Sequence, residues 1–141
     1  MREIAFTVNS KLKLLNIVED GVDFFLKNQC KLDEDSIYWF KVGFHELLIN
    51  AYLHGNKKRE DLLIEVKVVY KNKKIKANIS DCGVGFDIEK IPDPTRPENI
   101  LKPSGRGLLF VKKACDSVSF KRENNKFTVE ITKRVKEVQN A

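Results

Sequence analysis

The sequence predicts an α+β fold: a two-layer α/β sandwich whose mixed, mostly antiparallel sheet carries helices on one face. Three observations predict it. The patterns run strand, helix, helix, strand, strand, long loop, helix, strand, strand, so strands follow one another in pairs. A doubly wound parallel sheet would need strict alternation of strand and helix. Each pair is joined by a short polar turn, Lys71-Asn72-Lys73 in one case and "ENN" (123–125) in the other. Finally, 42% of the 141 residues are hydrophobic, enough for one domain over residues 1–141 with a core of its own.

The elements follow in order. "REIAFTVN" (2–9) places Ile4, Phe6 and Val8 on one face, the period of a half-buried strand. Ser10 is then a candidate helix cap, because its hydroxyl can accept a free backbone N–H. Leu12, Leu15, Val18, Val22 and Phe25 recur at three- and four-residue steps and predict an amphipathic helix to about residue 29. Asp33 or Asp35 caps a second helix that runs to about His54, where Gly55-Asn56 ends it. Leu62, Ile64, Val66 and Val68 alternate, as do Ile75, Ala77 and Ile79, predicting a hairpin. From Gly83 to Gly105 the periodicity stops and all four prolines occur, which predicts a functional loop. A helix over about 107–116 and strands over 117–122 and 126–134 complete the fold, and the tail at 135–141 is expected to fray.

Composition excludes several classes. No apolar run is long enough to span a membrane, and "MREIAFTVNS" lacks the apolar stretch of a signal peptide, so a cytoplasmic protein is expected. Cys30, Cys82 and Cys115 are odd in number and widely spaced, which fits neither a disulfide framework nor a zinc site. The formal charge is +6, but the lysine clusters at 57–59, 71–76 and 121–126 fall at expected turns without interleaved aromatics. They read as solvated turns, and nucleic acid ranks last among partners.

Three polar stretches carry the chemistry. On the second helix, Ile37, Phe40, Phe44, Leu47, Leu48 and Ala51 form the core stripe. Gly43, Glu46, Asn50 and His54 form a ridge beside it, because residues four apart differ by about 40° around a helix. A mid-helix glycine such as Gly43 costs about 1 kcal/mol relative to alanine, which makes sense if something approaches the backbone closely. The strand through Ile75, Ala77 and Ile79 extends to Asp81 in "DCGVGFD" (81–87), so a carboxylate points to the apolar face, with Gly83 and Gly85 just beyond. Such a carboxylate needs hydrogen-bond donors, and a ligand amino group would serve. In "PSGRGLLFVKKACD" (103–116), Ser104, Gly105, Arg106 and Gly107 lead into a helix, an arrangement that offers free N–H groups and a guanidinium to phosphate oxygens. The Walker A pattern is absent. Taken singly, each has an ordinary alternative: an exposed polar strip, a turn after a strand, a helix start.

In order, "HELLINAYLHGN", "DCGVGFD" and "PDPTRPENILKPSGRGLLFVKKACDSV" resemble the N and glycine boxes of the GHKL (Bergerat-fold) ATPases, and within them the bacterial anti-sigma-factor serine/threonine kinases. The resemblance covers about residues 2–134. It implies ATP and Mg²⁺ as ligands, with Asn50 coordinating the metal and Glu46 acting as general base toward a serine or threonine hydroxyl. It places the adenine amino group on Asp81, with Gly83 and Gly85 under the base and at the lid hinge. Residues 88–104 become the ATP lid, and Ser104, Gly105, Arg106, Gly107 and Leu108 the phosphate-binding stretch. His54 matches a position where the family often has histidine and receives no role. The resemblance further implies a sigma factor and a small antagonist protein as partners, and a homodimer. One departure is "KFTVEI" (126–131), where the family often enters its last strand with a Gly-Thr-Thr-like sequence, so no contact is assigned to Thr128. Competing readings are an ATP-gated partner-binding module without transfer, and a detached sensor-kinase catalytic domain, which would need a separate phosphoacceptor histidine.

Overall fold

The computed structural model describes residues 1–83 and 106–138, the last of these spans with backbone alone at 106–109. Alternation builds five strands: β1 (Arg2–Asn9), β2 (Leu63–Lys71), β3 (Lys74–Asp81), β4 (Ser117–Glu123) and β5 (Lys126–Arg134). They form one sheet in the order β1-β2-β3-β5-β4, and every pairing among the described residues is antiparallel. Asn72 and Lys73, with φ of 53° and 58°, join β2 to β3, and Asn124 and Asn125, with φ of 48° and 64°, join β4 to β5. Two successive left-handed residues match the right-handed twist of the flanking strands and so set the register of both hairpins.

The helices are α1 (Leu12–Phe24), α2 (Glu34–Asn50) and α3 (Arg106–Ala114). Asp33, not Asp35, caps α2 by accepting the Ser36 N–H at 2.8 Å. Ser10 does not cap α1. Its N–H is drawn to the Leu62 carbonyl at 2.9 Å, its buried hydroxyl has no partner among the described residues, and Lys11 takes the cap position. Leu15, Val18, Val22 and Phe25 are buried as their spacing predicts, whereas Leu12 opens the helix with an exposed side chain. Helices α1 and α2 each end in a π-helical turn, Phe25–Gln29 and Ala51–Gly55. The core lies between the helices and one sheet face, with Phe40, Phe44, Ile64, Ile75, Ile79, Phe127 and Ile131 almost wholly buried. Burying side chains of that size contributes about 1.5–3 kcal/mol each.

The tail is a correction. Residues expected to fray are held from Val135 to Val138: Lys136 O accepts the Asp33 N–H at 2.9 Å, Ser36 Oγ accepts the Lys136 N–H at 3.0 Å, and Lys31 O accepts the Val138 N–H at 2.7 Å. Glu137 pairs with Leu32 as a short antiparallel bridge. Residues 139–141 lie outside the described span.

Gly43 has its explanation in packing. A Cβ there would sit 2.7 Å from Cys115 Sγ, just past the end of α3. What approaches the backbone is a neighbouring helix. Cys115 is buried with it, and burial pushes its thiol up to about 11. Among the described residues, no helix is long and apolar enough to cross a membrane.

Candidate functional site

The end of α2 meets the end of β3. Leu47, Asn50 and Ala51 from α2 and its π turn, with Ile79, Asp81, Phe120, Phe127 and Val129 from the sheet, line one small cavity. Its volume is about 20 Å³, room for roughly one water molecule. Asn50 is half-buried. Asp81 is 4% exposed, and burial raises its carboxyl to about 6, against the opposing pull of the Gly83 N–H and the Arg122 charge.

Local structure aims that carboxylate. Gly83, with φ of +66°, turns the chain back so that its N–H donates to Asp81 Oδ1 at 2.6 Å. Gly55 closes the other side: a Cβ at that position would lie 2.0 Å from Asp81 Oδ2. Among the described residues, Oδ2 accepts no hydrogen bond, so Asp81, which lines the cavity, keeps an unused acceptor. The π turn brings Gly55 there, as its closing bond, Asn56 N–H to Ala51 O at 2.8 Å, spans five residues instead of four. Gly55→Ala should therefore cost about 3 kcal/mol, at the upper end for overpacking, and weaken any ligand that uses Asp81. Urea unfolding of the unliganded protein measures the first effect.

The remaining candidates fall in different places. Glu46 is half-buried but does not line this cavity. It stands at a separate open depression of about 860 Å³ between α1 and α2, with Glu19, Asp23, Lys41 and His45 among its neighbours. His54 is exposed, because the π turn carries it off the ridge of Gly43, Glu46 and Asn50. Arg106, Gly107 and Leu108 open α3, where the first backbone N–H groups lack helical partners. Gly85, Ser104, Gly105 and the 88–104 stretch lie outside the described residues. Thr128 shares the outer sheet face with Ser80, their hydroxyls 2.7 Å apart, while its neighbour Phe127 lies across from Asp81 in the register.

Sequence reading missed three residues. Gly55 and Asn56 passed for a helix stop, and Arg122 for part of a basic turn. Arg122 caps the Phe127 ring at 5.7 Å and its Nη1 donates to the Gly83 carbonyl at 3.4 Å. The signal for it was the two-residue turn at Asn124-Asn125, whose register sets Arg122 opposite Phe127, itself opposite Asp81.

A buried carboxylate behind a glycine turn, a half-buried amide across a shared cavity, and a helix start with unpaired N–H groups together suit a purine nucleotide. The chain belongs to the histidine kinase-like ATPase domain family, whose profile matches residues 11–133. Membership implies ATP binding. The chain is also similar to particular regulators: it is 30% identical over 98 residues to an anti-sigma F factor of Clostridium botulinum, covering 67% of each chain. It is 28% identical over 104 residues to an anti-sigma F factor of Clostridium beijerinckii, covering 71% of each. A crystal structure of the RsbU and RsbW domains of Rv1364c from Mycobacterium tuberculosis superposes with a TM-score of 0.68 at 14% identity. The superposition takes in 99% of this chain and 35% of that one, and at such identity it speaks for the fold alone.

Proposed function

We propose that the protein is an ATP-dependent serine/threonine kinase that acts as an anti-sigma factor and phosphorylates a small antagonist protein. The observation that carries this reading is the convergence of Asn50 and Asp81 on one cavity, in a chain whose relatives are anti-sigma F factors. The donor and acceptor chemistry of these residues suits the ligand. Asp81 holds an acceptor for the adenine amino group against Gly55, and Asn50 offers an amide oxygen. Oxygen donors suit Mg²⁺, which takes one or two protein ligands and leaves the rest to phosphates and water. Among the described residues no group of three or more His, Cys, Asp or Glu side chains gathers for a metal, so Asn50 would hold the ion together with the triphosphate. Bound Mg·ATP supplies the transferable phosphoryl group and the charge that screens it.

This chain's residues do the rest. Asp81 and Gly83 orient the base. The backbone opening α3, with Gly105 before it, holds phosphate oxygens, and Arg106 adds its charge. Glu46 accepts the proton of the incoming hydroxyl from the α1–α2 side, where a partner can approach. The sigma factor and the antagonist are the protein partners, and a homodimer in the cytoplasm is the expected form.

One observation favours a second reading. Glu46 stands outside the cavity of Asn50 and Asp81, so an ATP-gated module that holds a partner without transfer also fits. Incubation with γ-labelled ATP and candidate antagonist proteins decides: label on a partner serine or threonine supports the kinase, and tight ATP binding with no label on any candidate supports the module.

A further inference from the structure

We propose that Asn56 is a positioning residue for adenine selectivity: its buried amide ties the chain just after Asp81 to the start of β2 and so directs the carboxylate toward the purine. The inference rests on the reading of Asp81 as the adenine contact.

Asn56 is fully buried, and a buried amide is tolerated only where its groups are paired. Here its Oδ1 accepts the Cys82 N–H at 2.8 Å, and its Nδ2 donates to the Leu63 carbonyl at 3.1 Å. Its own N–H closes the π turn onto Ala51. One side chain thus joins the end of α2, the first residue of β2 and the residue that follows Asp81. The task needs a donor and an acceptor on one short planar group, which asparagine alone supplies at this reach.

The consequence falls on Asp81, which lies between fixed points. Cys82 is tied to Asn56, the Gly83 N–H engages Oδ1, and Gly55 blocks the swing of Oδ2. A carboxylate separates a 6-amino purine from a 6-oxo purine only if its acceptor lies on the line of the amino hydrogen. An acceptor free to tilt hydrogen-bonds to water instead and discriminates less.

The test compares ADP with inosine diphosphate, which carries a carbonyl in place of the amino group, by calorimetry with magnesium. The wild type is expected to favour ADP by at least about 30-fold. In Asn56→Ala that ratio should fall by about tenfold or more. Val18→Ala, at a buried position on α1 that does not line the cavity, lowers Tm but should keep the wild-type ratio. An Asn56→Ala protein that is merely less stable, with an unchanged ratio, overturns the proposal. Should Asn56→Ala fail to fold, Asn56→Ser, whose hydroxyl cannot bridge both partners, is read by the same criterion. A wild type that does not prefer ADP instead overturns the adenine assignment itself, which separates the two failures.

Discussion

Phosphoryl transfer should fall by about 10²- to 10⁴-fold in Glu46→Ala, the usual contribution of a positioned general base, while ATP affinity stays within about threefold. The split follows from placement. Glu46 sits one helical turn before Asn50 on α2 but opens onto the α1–α2 depression, not onto the cavity shared by Asn50 and Asp81. A carboxylate there does little to hold the nucleotide before reaction. As the proposed general base it would act on a proton that leaves only as the hydroxyl attacks, so its removal should lower the rate and spare binding. Single-turnover transfer to the antagonist, beside calorimetric ATP titration, measures both. Transfer that survives the substitution removes Glu46 from the chemistry, and lost ATP affinity would mean that it holds the metal.

Asp81→Asn carries the second large effect, in two opposite directions. ATP affinity should drop by roughly 10- to 150-fold, the worth of a hydrogen bond to a charged acceptor, about 1.5–3 kcal/mol. The amide cannot serve both neighbours. If its oxygen accepts the Gly83 N–H, its NH₂ meets the adenine amino group donor to donor, and flipping it moves the conflict to Gly83. The unliganded protein, by contrast, should gain stability at pH 7. Burial has raised the Asp81 carboxyl from 3.8 to about 6, so the native state binds a proton that the unfolded chain has already released. Between these values stability falls as pH rises, and above pH 6 the whole penalty, about 2–3 kcal/mol, is present. Asparagine removes the buried charge, and a gain of about 1–2 kcal/mol, or ~3–7 °C in Tm, is expected. The carboxyls of Asp23 and Asp33 are held below their usual range, the former by Lys41 and Lys27 against the cost of its burial, the latter by Ser36, and act in the reverse sense at more acid pH. The difference between wild type and variant over pH 4–7 therefore isolates Asp81. A flat difference would mean that the carboxylate is well solvated.

Elements that rest on local pattern were legible in the sequence. Alternation located β2 and β3, although it stopped at Val68, three residues short of the end of β2, and the Asn-containing turns announced both hairpins. The α2 core stripe from Ile37 to Ala51 is buried throughout. What escaped depends on contacts between distant residues. The tail is ordered because Leu32 and Lys31 offer it a backbone to pair with, a partner that nothing near Val135 reveals. Ser10 looked like a cap and is instead drawn to Leu62. The π turn at Ala51–Gly55 has no local signature either; it brings a residue without a side chain against the Asp81 carboxylate. At the site, strand parity was enough to turn Asp81 inward, and helical spacing put Asn50 beside the core. The surroundings of Asp81 were not legible. Gly55 and Asn56 at the end of α2 and Arg122 on β4 gather around it from two distant elements, and the register of the strands has to be known before they converge.

The contact between Gly43 and Cys115 leaves no room for one additional carbon atom. Two rods pressed together at that distance behave as a single beam. The metal ligand proposed on α2 and the phosphate-binding stretch proposed at the start of α3 therefore belong to one packed unit.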